Sequence, residues 1–114
     1  MSKVLVDKIC QALSDKKANN IEIIDLTNQA LIADYFVICD GTSSTLVKTL
    51  ADNVEEELEK EGTFVLRKEG YAPGRWIVLD YGDVIVHIFL DEERSFYNIE
   101  KLWASEDNLT VYED

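Results

Sequence analysis

The sequence predicts a single α/β (α+β) domain spanning residues 1–114: a mixed five-stranded sheet with helices packed on it. Three observations carry that prediction. Apolar residues recur at helical spacing in two long segments, 3–17 and 44–61. Short stretches rich in β-branched and aromatic residues lie between and after them. The chain has 114 residues, 46% of them apolar, which supports one core and leaves no room for two.

The elements follow in order. Leu5, Ile9 and Leu13 mark one face of a first helix, with Val6 and Cys10 alongside and Ser2 as its cap. Residues 21–26 read as a strand. A connection over 27–33 is anchored at Leu31 and Ile32. Tyr35-Phe36-Val37-Ile38-Cys39 is a continuous apolar run, the pattern of a strand buried on both faces. Asp40 to Ser44 breaks it, with Gly41 turning the chain and Ser43 or Ser44 capping a second helix. In that helix Leu46, Leu50, Val54 and Leu58 repeat every four residues, and Gly62 ends it.

Residues 63–67 follow as a strand. A strand, a helix and a strand in that order predict a parallel pair joined by a right-handed crossover. After a polar loop come strands at 76–79 and 84–90, joined by the tight turn Asp80-Tyr81-Gly82-Asp83, and a hairpin makes that pair antiparallel. Asp91 caps a last helix, with Phe96, Ile99, Leu102 and Trp103 as its apolar face. Residues 104–114 form an acidic tail that can fray, with Leu109, Val111 and Tyr112 available to dock.

Charge narrows the functional classes. Eleven Lys and Arg face 23 Asp and Glu, a net charge of −12. The imbalance is steepest over residues 80–114, with ten acids and two bases. Phosphate repels such a chain, so free nucleic acid is a poor ligand and a basic protein a better one. No apolar run approaches the roughly 20 residues that span a bilayer. The N-terminus lacks the apolar core of a signal peptide. The expected setting is soluble and cytoplasmic, and Cys10 and Cys39 read as buried free thiols.

Catalytic signals are weak. Gly41-Thr42-Ser43-Ser44 joins a strand to a helix, where backbone N–H groups can cradle phosphate. Nucleotidyl transfer also needs paired carboxylates on a following strand to hold metal ions. Here the corresponding segment is Leu50-Ala51-Asp52-Asn53-Val54, inside a helix and without the pair. A capping turn is the better reading. His87, the single histidine, shares a strand face with Ile85 and Phe89 and reads as a hydrogen-bonded core residue. Glu92 and Glu93 suit the first turn of a helix. No metal or cofactor is expected.

The segment 75–83 is the one that suggests a surface. Trp76, Val78 and Asp80 fall on one strand face, next to a turn carrying Tyr81 and Asp83. Aromatic anchors with acids beside them suit an interface that receives Lys or Arg.

Several strings in the chain resemble one family. They are Ala33-Asp34-Tyr35-Phe36-Val37-Ile38-Cys39, Gly41-Thr42-Ser43-Ser44, Ala51-Asp52-Asn53-Val54, Glu69-Gly70, the run from Arg75 to Phe89, and Phe96-Tyr97-Asn98-Ile99-Glu100-Lys101-Leu102-Trp103. Together they resemble the bacterial ribosomal silencing factors and the related Iojap proteins, in order and over nearly the whole chain. Only the tail after Trp103 lies outside. The resemblance implies a nucleotidyltransferase-like fold without the catalytic carboxylates, and no enzyme activity. It implies binding to the large ribosomal subunit through its protein fourteen, a block on joining of the small subunit, and repressed translation when nutrients run short. It also implies a homodimer when unbound, and a role in large-subunit assembly among organellar relatives. The contact surface carried over is Trp76 and Tyr81 as apolar anchors and Asp80 and Asp83 as partners for basic side chains. Arg75 is adjacent, and Glu92 and Glu93 extend the acidic patch. The rival readings are a nucleotidyl or phosphoryl transferase using Gly41 to Ser44, and a large-subunit assembly adaptor.

Overall fold

The computed structural model describes every residue except Met1, Ala30, Leu31 and Asp114. Its order is α1 (Ser2–Asp15), β1 (Asn19–Asp25), β2 (Tyr35–Gly41), α2 (Ser44–Glu59), β3 (Arg67–Glu69), β4 (Trp76–Asp80), β5 (Val84–Leu90), α3 (Asp91–Tyr97), α4 (Ile99–Trp103) and β6 (Leu109–Val111). The α+β class expected from the sequence is present, but the sheet has six strands, ordered β3-β4-β5-β2-β1-β6.

Two layers cover the sheet unequally. The long helices α1 and α2 bury Val6, Ile9, Leu13, Leu50, Val54 and Leu58 against Ile23, Val37, Cys39, Ile77, Val86 and Ile88. The other face buries Ile24, Phe36, Ile38 and Phe89 under a smaller lid that includes Ile99. Strands β2 and β5 lie at the centre and run parallel, Tyr35 opposite Val84 through Gly41 opposite Leu90. Covered on both sides, they need their near-continuous apolar sequences. Ser43 is the cap of α2, accepting from the Leu46 N–H at 3.1 Å. Ser2, expected to cap α1, is itself helical, and its hydroxyl donates to Asp34.

Several expectations are corrected. The strand placed at 63–67 is not one. After α2 the Thr63 N–H still bonds back to the Leu58 carbonyl, Phe64 is exposed, and pairing begins only with the Leu66 N–H on the Asp80 carbonyl. Strand β3 is therefore Arg67–Glu69, a polar edge strand antiparallel to β4. The parallel partner of β2 is β5, whose apolar run fits the sheet centre as the sequence Arg67-Lys68-Glu69 does not.

The last helix is two helices. Asn98 adopts a left-handed conformation (φ 45°, ψ 54°), ending α3 and starting α4. The kink breaks the predicted apolar stripe. Ile99 is buried, while Phe96 and Leu102 are 79% and 77% exposed. Asp91 opens α3 as its first residue, and Leu90 holds the cap position. The tail is also not frayed. Residues Leu109–Val111 form β6 on the β1 edge, and Asn108 ties the approach through the Asp25 and Trp103 carbonyls. Of the anchors expected in the 27–33 connection, Ile32 is exposed and Leu31 lies outside the described residues.

Arg94 fixes the smaller lid. Its guanidinium is buried and donates to Glu100 at 2.8 Å, Glu22 at 2.7 Å, Asp40 at 2.9 Å and the Asn20 carbonyl at 2.6 Å. Burial opposes its charge, but the bonds and charges of Glu100, Asp40 and Glu22 outweigh that and raise its pKa. Removing one partner of a buried ionic network leaves the others uncompensated, at about 3–5 kcal/mol. Arg94→Met should lose stability of that order in urea melts, and a melt matching the wild type would show that the lid is held some other way.

Candidate interaction surface

The sheet face opposite α1 and α2 is only partly roofed. Strand alternation turns Trp76, Val78 and Asp80 onto it from β4. Cross-strand pairing sets them against Phe89, His87 and Ile85 of β5. Here α3 and α4 cover one end and leave the rest open. The result is a chain of aromatic contacts. Trp103 meets Phe36 edge-on, Phe36 meets His87 at 4.6 Å, and Trp76 stacks on Phe89 at 4.9 Å. Tyr97 lies 4.7 Å from Trp76, and Phe96 5.1 Å from Tyr97. The chain runs from the core to the surface, ending in exposed Phe96 with Leu102 exposed on the next helix.

His87 organises the inner part. The Trp76 indole can only donate, and its Nε1 lies 3.2 Å from His87 Nδ1. Nδ1 therefore accepts and the proton sits on Nε2, which is buried without a partner among the described residues. Burial pulls the imidazole pKa down to about 4, against a smaller opposing effect of Glu100. The core reading of His87 holds.

The other residues singled out from the sequence do not all meet on this face. Trp76 is half-buried and Arg75 exposed, the latter paired with Glu93. Asp80 accepts from the Gly82 N–H at 2.8 Å, which tightens the turn. Asp83 is exposed at the tip, and its carbonyl takes the Asp34 and Tyr35 N–H groups. Glu92 is exposed on α3. Tyr81 is the correction. It is 8% exposed and packs with the α1–α2 core, where burial and the nearby Glu55 and Glu59 raise its pKa above the ordinary phenol value. A side chain inside that core cannot be a surface anchor. The sequence reading missed Phe96, Tyr97 and Leu102 as surface groups, because a continuous helix would have turned the first and last of them inward.

After the Gly41 turn Thr42, Ser43 and Ser44 are exposed. Ser43 bonds the α2 backbone, and Asp52 lies on α2, accepting from the Tyr71 hydroxyl at 3.1 Å. Among the described residues no cluster of three or more His, Cys, Asp or Glu is placed to hold a metal ion. Cys10 and Cys39 are free and buried, and burial pushes the Cys10 thiol up to about 12.

An α+β domain with two deep-packed helices on one face and an open aromatic surface on the other is a binding module in form. The family model described as "Ribosomal silencing factor during starvation" matches residues 1–114, and the chain belongs to that family. It is 42% identical over 93 residues to the ribosomal silencing factor RsfS of Bacillus subtilis, covering 82% of this chain and 79% of that protein. A mouse relative, "Mitochondrial assembly of ribosomal large subunit protein 1", is 28% identical over 106 residues, 90% of this chain and 46% of that protein. A crystal structure from Chromobacterium violaceum superposes with a TM-score of 0.88 at 28% identity, covering 98% of this chain and 92% of the other.

The buried imidazole makes a pH prediction. The folded pKa of about 4 lies below the ordinary 6.5, so folding favours neutral His87. Its contribution is intact above pH 6.5 and is lost as pH falls from there towards 4. Between pH 7.5 and 5 the wild type should lose about 2 kcal/mol more than His87→Gln does. Urea melts of both proteins at the two pH values measure the difference, and parallel losses would show that His87 does not titrate in this way.

Proposed function

We propose that this chain binds the large ribosomal subunit through that subunit's protein fourteen and keeps the small subunit from joining, repressing translation in starvation. The observation that carries the reading is the open aromatic face. Trp76, Tyr97, Phe96 and Leu102 offer apolar contact area, and a well-packed domain rarely leaves such groups in water without a use. Acids rim it at Asp80, Glu92 and Glu93, with Arg75 held by Glu93, and Asp83 stands at the neighbouring turn tip. Ribosomal proteins are basic as a class, and a chain at −12 meets them with complementary charge. A steric block needs no catalytic group. Tyr81 serves from beneath, fixing the turn that presents Asp80 and Asp83.

The protein acts in the cytoplasm, where ribosomes are, and pairs as a homodimer when unbound, a second copy shielding exposed apolar side chains. Assembly of the large subunit is the second reading, favoured by the printed name of the mouse relative and using the same surface. Both readings need contact with the large subunit, and a subunit-joining assay separates them.

Two outcomes are expected. Phe96→Ala and Asp80→Asn should melt like the wild type, since Phe96 is exposed and Asn keeps an oxygen for the Gly82 N–H. Losing an anchor should weaken co-sedimentation with isolated large subunits roughly thirtyfold, about 2 kcal/mol, and raise the concentration that blocks joining. Normal melts with unchanged co-sedimentation would remove this face from the contact. Added salt should slow association, because exposed charges are screened over about 8 Å at physiological ionic strength. A rate indifferent to salt would mean a contact made by the apolar groups alone.

A further inference from the structure

A second recess lies on the helix side of the sheet, away from the aromatic face. It has a volume of about 300 Å³ between the start of α1, the end of α2 and the β4–β5 turn. Val4, Leu5 and Leu58 supply its apolar wall, and Lys8, Glu61 and Asp83 stand at its rim. The core does not use all of that wall. Val6, Ile9 and Leu13 already bury the inner face of α1, and Val4 is left 54% exposed.

The charge at the rim selects the occupant. Lys8 is paired with Glu61, and Lys3, one residue before Val4, is paired with Asp7. The nearby bases are thus neutralised by acids. Asp83 is different. Its backbone carbonyl is held by the Asp34 and Tyr35 N–H groups, so the turn is fixed, but its carboxylate has no partner among the described residues. An apolar slot beside a carboxylate that has no partner among the described residues suits a cation carried next to an aliphatic side chain. A fatty or phosphorylated ligand would bring an anion against Asp83.

We propose that this groove docks a basic segment of a protein partner, which inserts one aliphatic side chain between Val4, Leu5 and Leu58 and sets a Lys or Arg against Asp83. The groove lies on the helix side of the sheet and shares only Asp83, at the turn tip, with the surface proposed above, so it gives the protein a second point of attachment to a basic protein partner. Two weak contacts on one rigid domain reinforce each other when both can be made together.

A synthetic amphipathic peptide of leucine and lysine tests this, with a leucine–glutamate peptide of the same pattern as its counterpart. Both are titrated into the full chain and followed by the backbone amide signals. The leucine–lysine peptide should move Val4, Leu5 and Asp83 first, and the leucine–glutamate peptide should move nothing. Val4→Glu keeps a good helix former at an exposed position, and Asp83→Lys reverses the rim charge. Each should weaken the leucine–lysine peptide about tenfold or more while melting like the wild type, and Phe96→Ala should leave its binding unchanged. Binding that survives Val4→Glu and Asp83→Lys overturns the proposal. So does a response centred on Trp76 and Tyr97, equal binding of the two peptides, or no binding of the basic one.

Discussion

Arg94 reaches four residues in three other elements from one position on the seven-residue helix α3: Asn20 and Glu22 in β1, Asp40 in β2, and Glu100 in α4. So short a helix has little stability of its own. What holds α3 on the sheet is this guanidinium, together with the contact of Ile99 and the aromatic rings beneath. The geometry is demanding, because every carboxylate must arrive at the fork with the right orientation to offset the cost of burying charge. Once it does, the end of β2, the start of β1 and the α3–α4 corner are tied together through one side chain. The turn at Asn98 brings Glu100 back towards Arg94, so the left-handed residue and the ionic network depend on each other.

That corner decides which aromatic side chains are wet. If α3 and α4 were one straight helix, Phe96 and Leu102 would share a face with Ile99 and turn inward. The kink separates them, burying Ile99 and leaving the other two outside. Tyr97 then bridges the two environments, touching Trp76 within and Phe96 without. The exposed end of the aromatic chain is thus tied to the core through ring contacts, and its side chains lose less freedom on binding a partner than isolated surface residues would.

The parts legible in the sequence were those with local signals. The four-residue repeat of Leu46, Leu50, Val54 and Leu58, the Ser43 cap, the run at 35–39 and the hairpin of 76–90 all show in composition and spacing, and all are present. The misplaced parts depend on distant residues. Leu109-Thr110-Val111 has strand-favouring residues, but three residues are too few to mark a strand by themselves. It pairs because the β1 edge is free and Asn108 is held by the Asp25 carbonyl, far away in sequence. Strand β3 is short and polar, and its position is set by the register with Asp80 rather than by its own residues. On the open sheet face, alternation places Trp76 and Asp80. Nothing local marks Tyr81 as buried, because its ring folds from the turn back onto the α1–α2 core.

At the strand-to-helix turn the polar groups are taken up by local structure. At the position where phosphate could sit, the Ser43 hydroxyl is taken by the Leu46 N–H. A Cβ at Gly41 would meet the Leu46 side chain at 3.1 Å, so that residue's small size serves helix packing. Further along α2, Asp52 shares a recess with Glu56 and Glu57. It accepts from Tyr71, while Lys68 pairs with Glu55 and lies 4.6 Å over the Tyr71 ring. These contacts strap the 70–74 loop onto α2. The loop in turn requires Gly70, because a Cβ there would meet the Trp76 carbonyl oxygen at 2.0 Å with φ at +79°. Just beyond it come Arg75 and Trp76, the first residues of the open face. Asp52, Glu55 and Lys68 therefore act at a distance, by holding the strand that presents the aromatic surface.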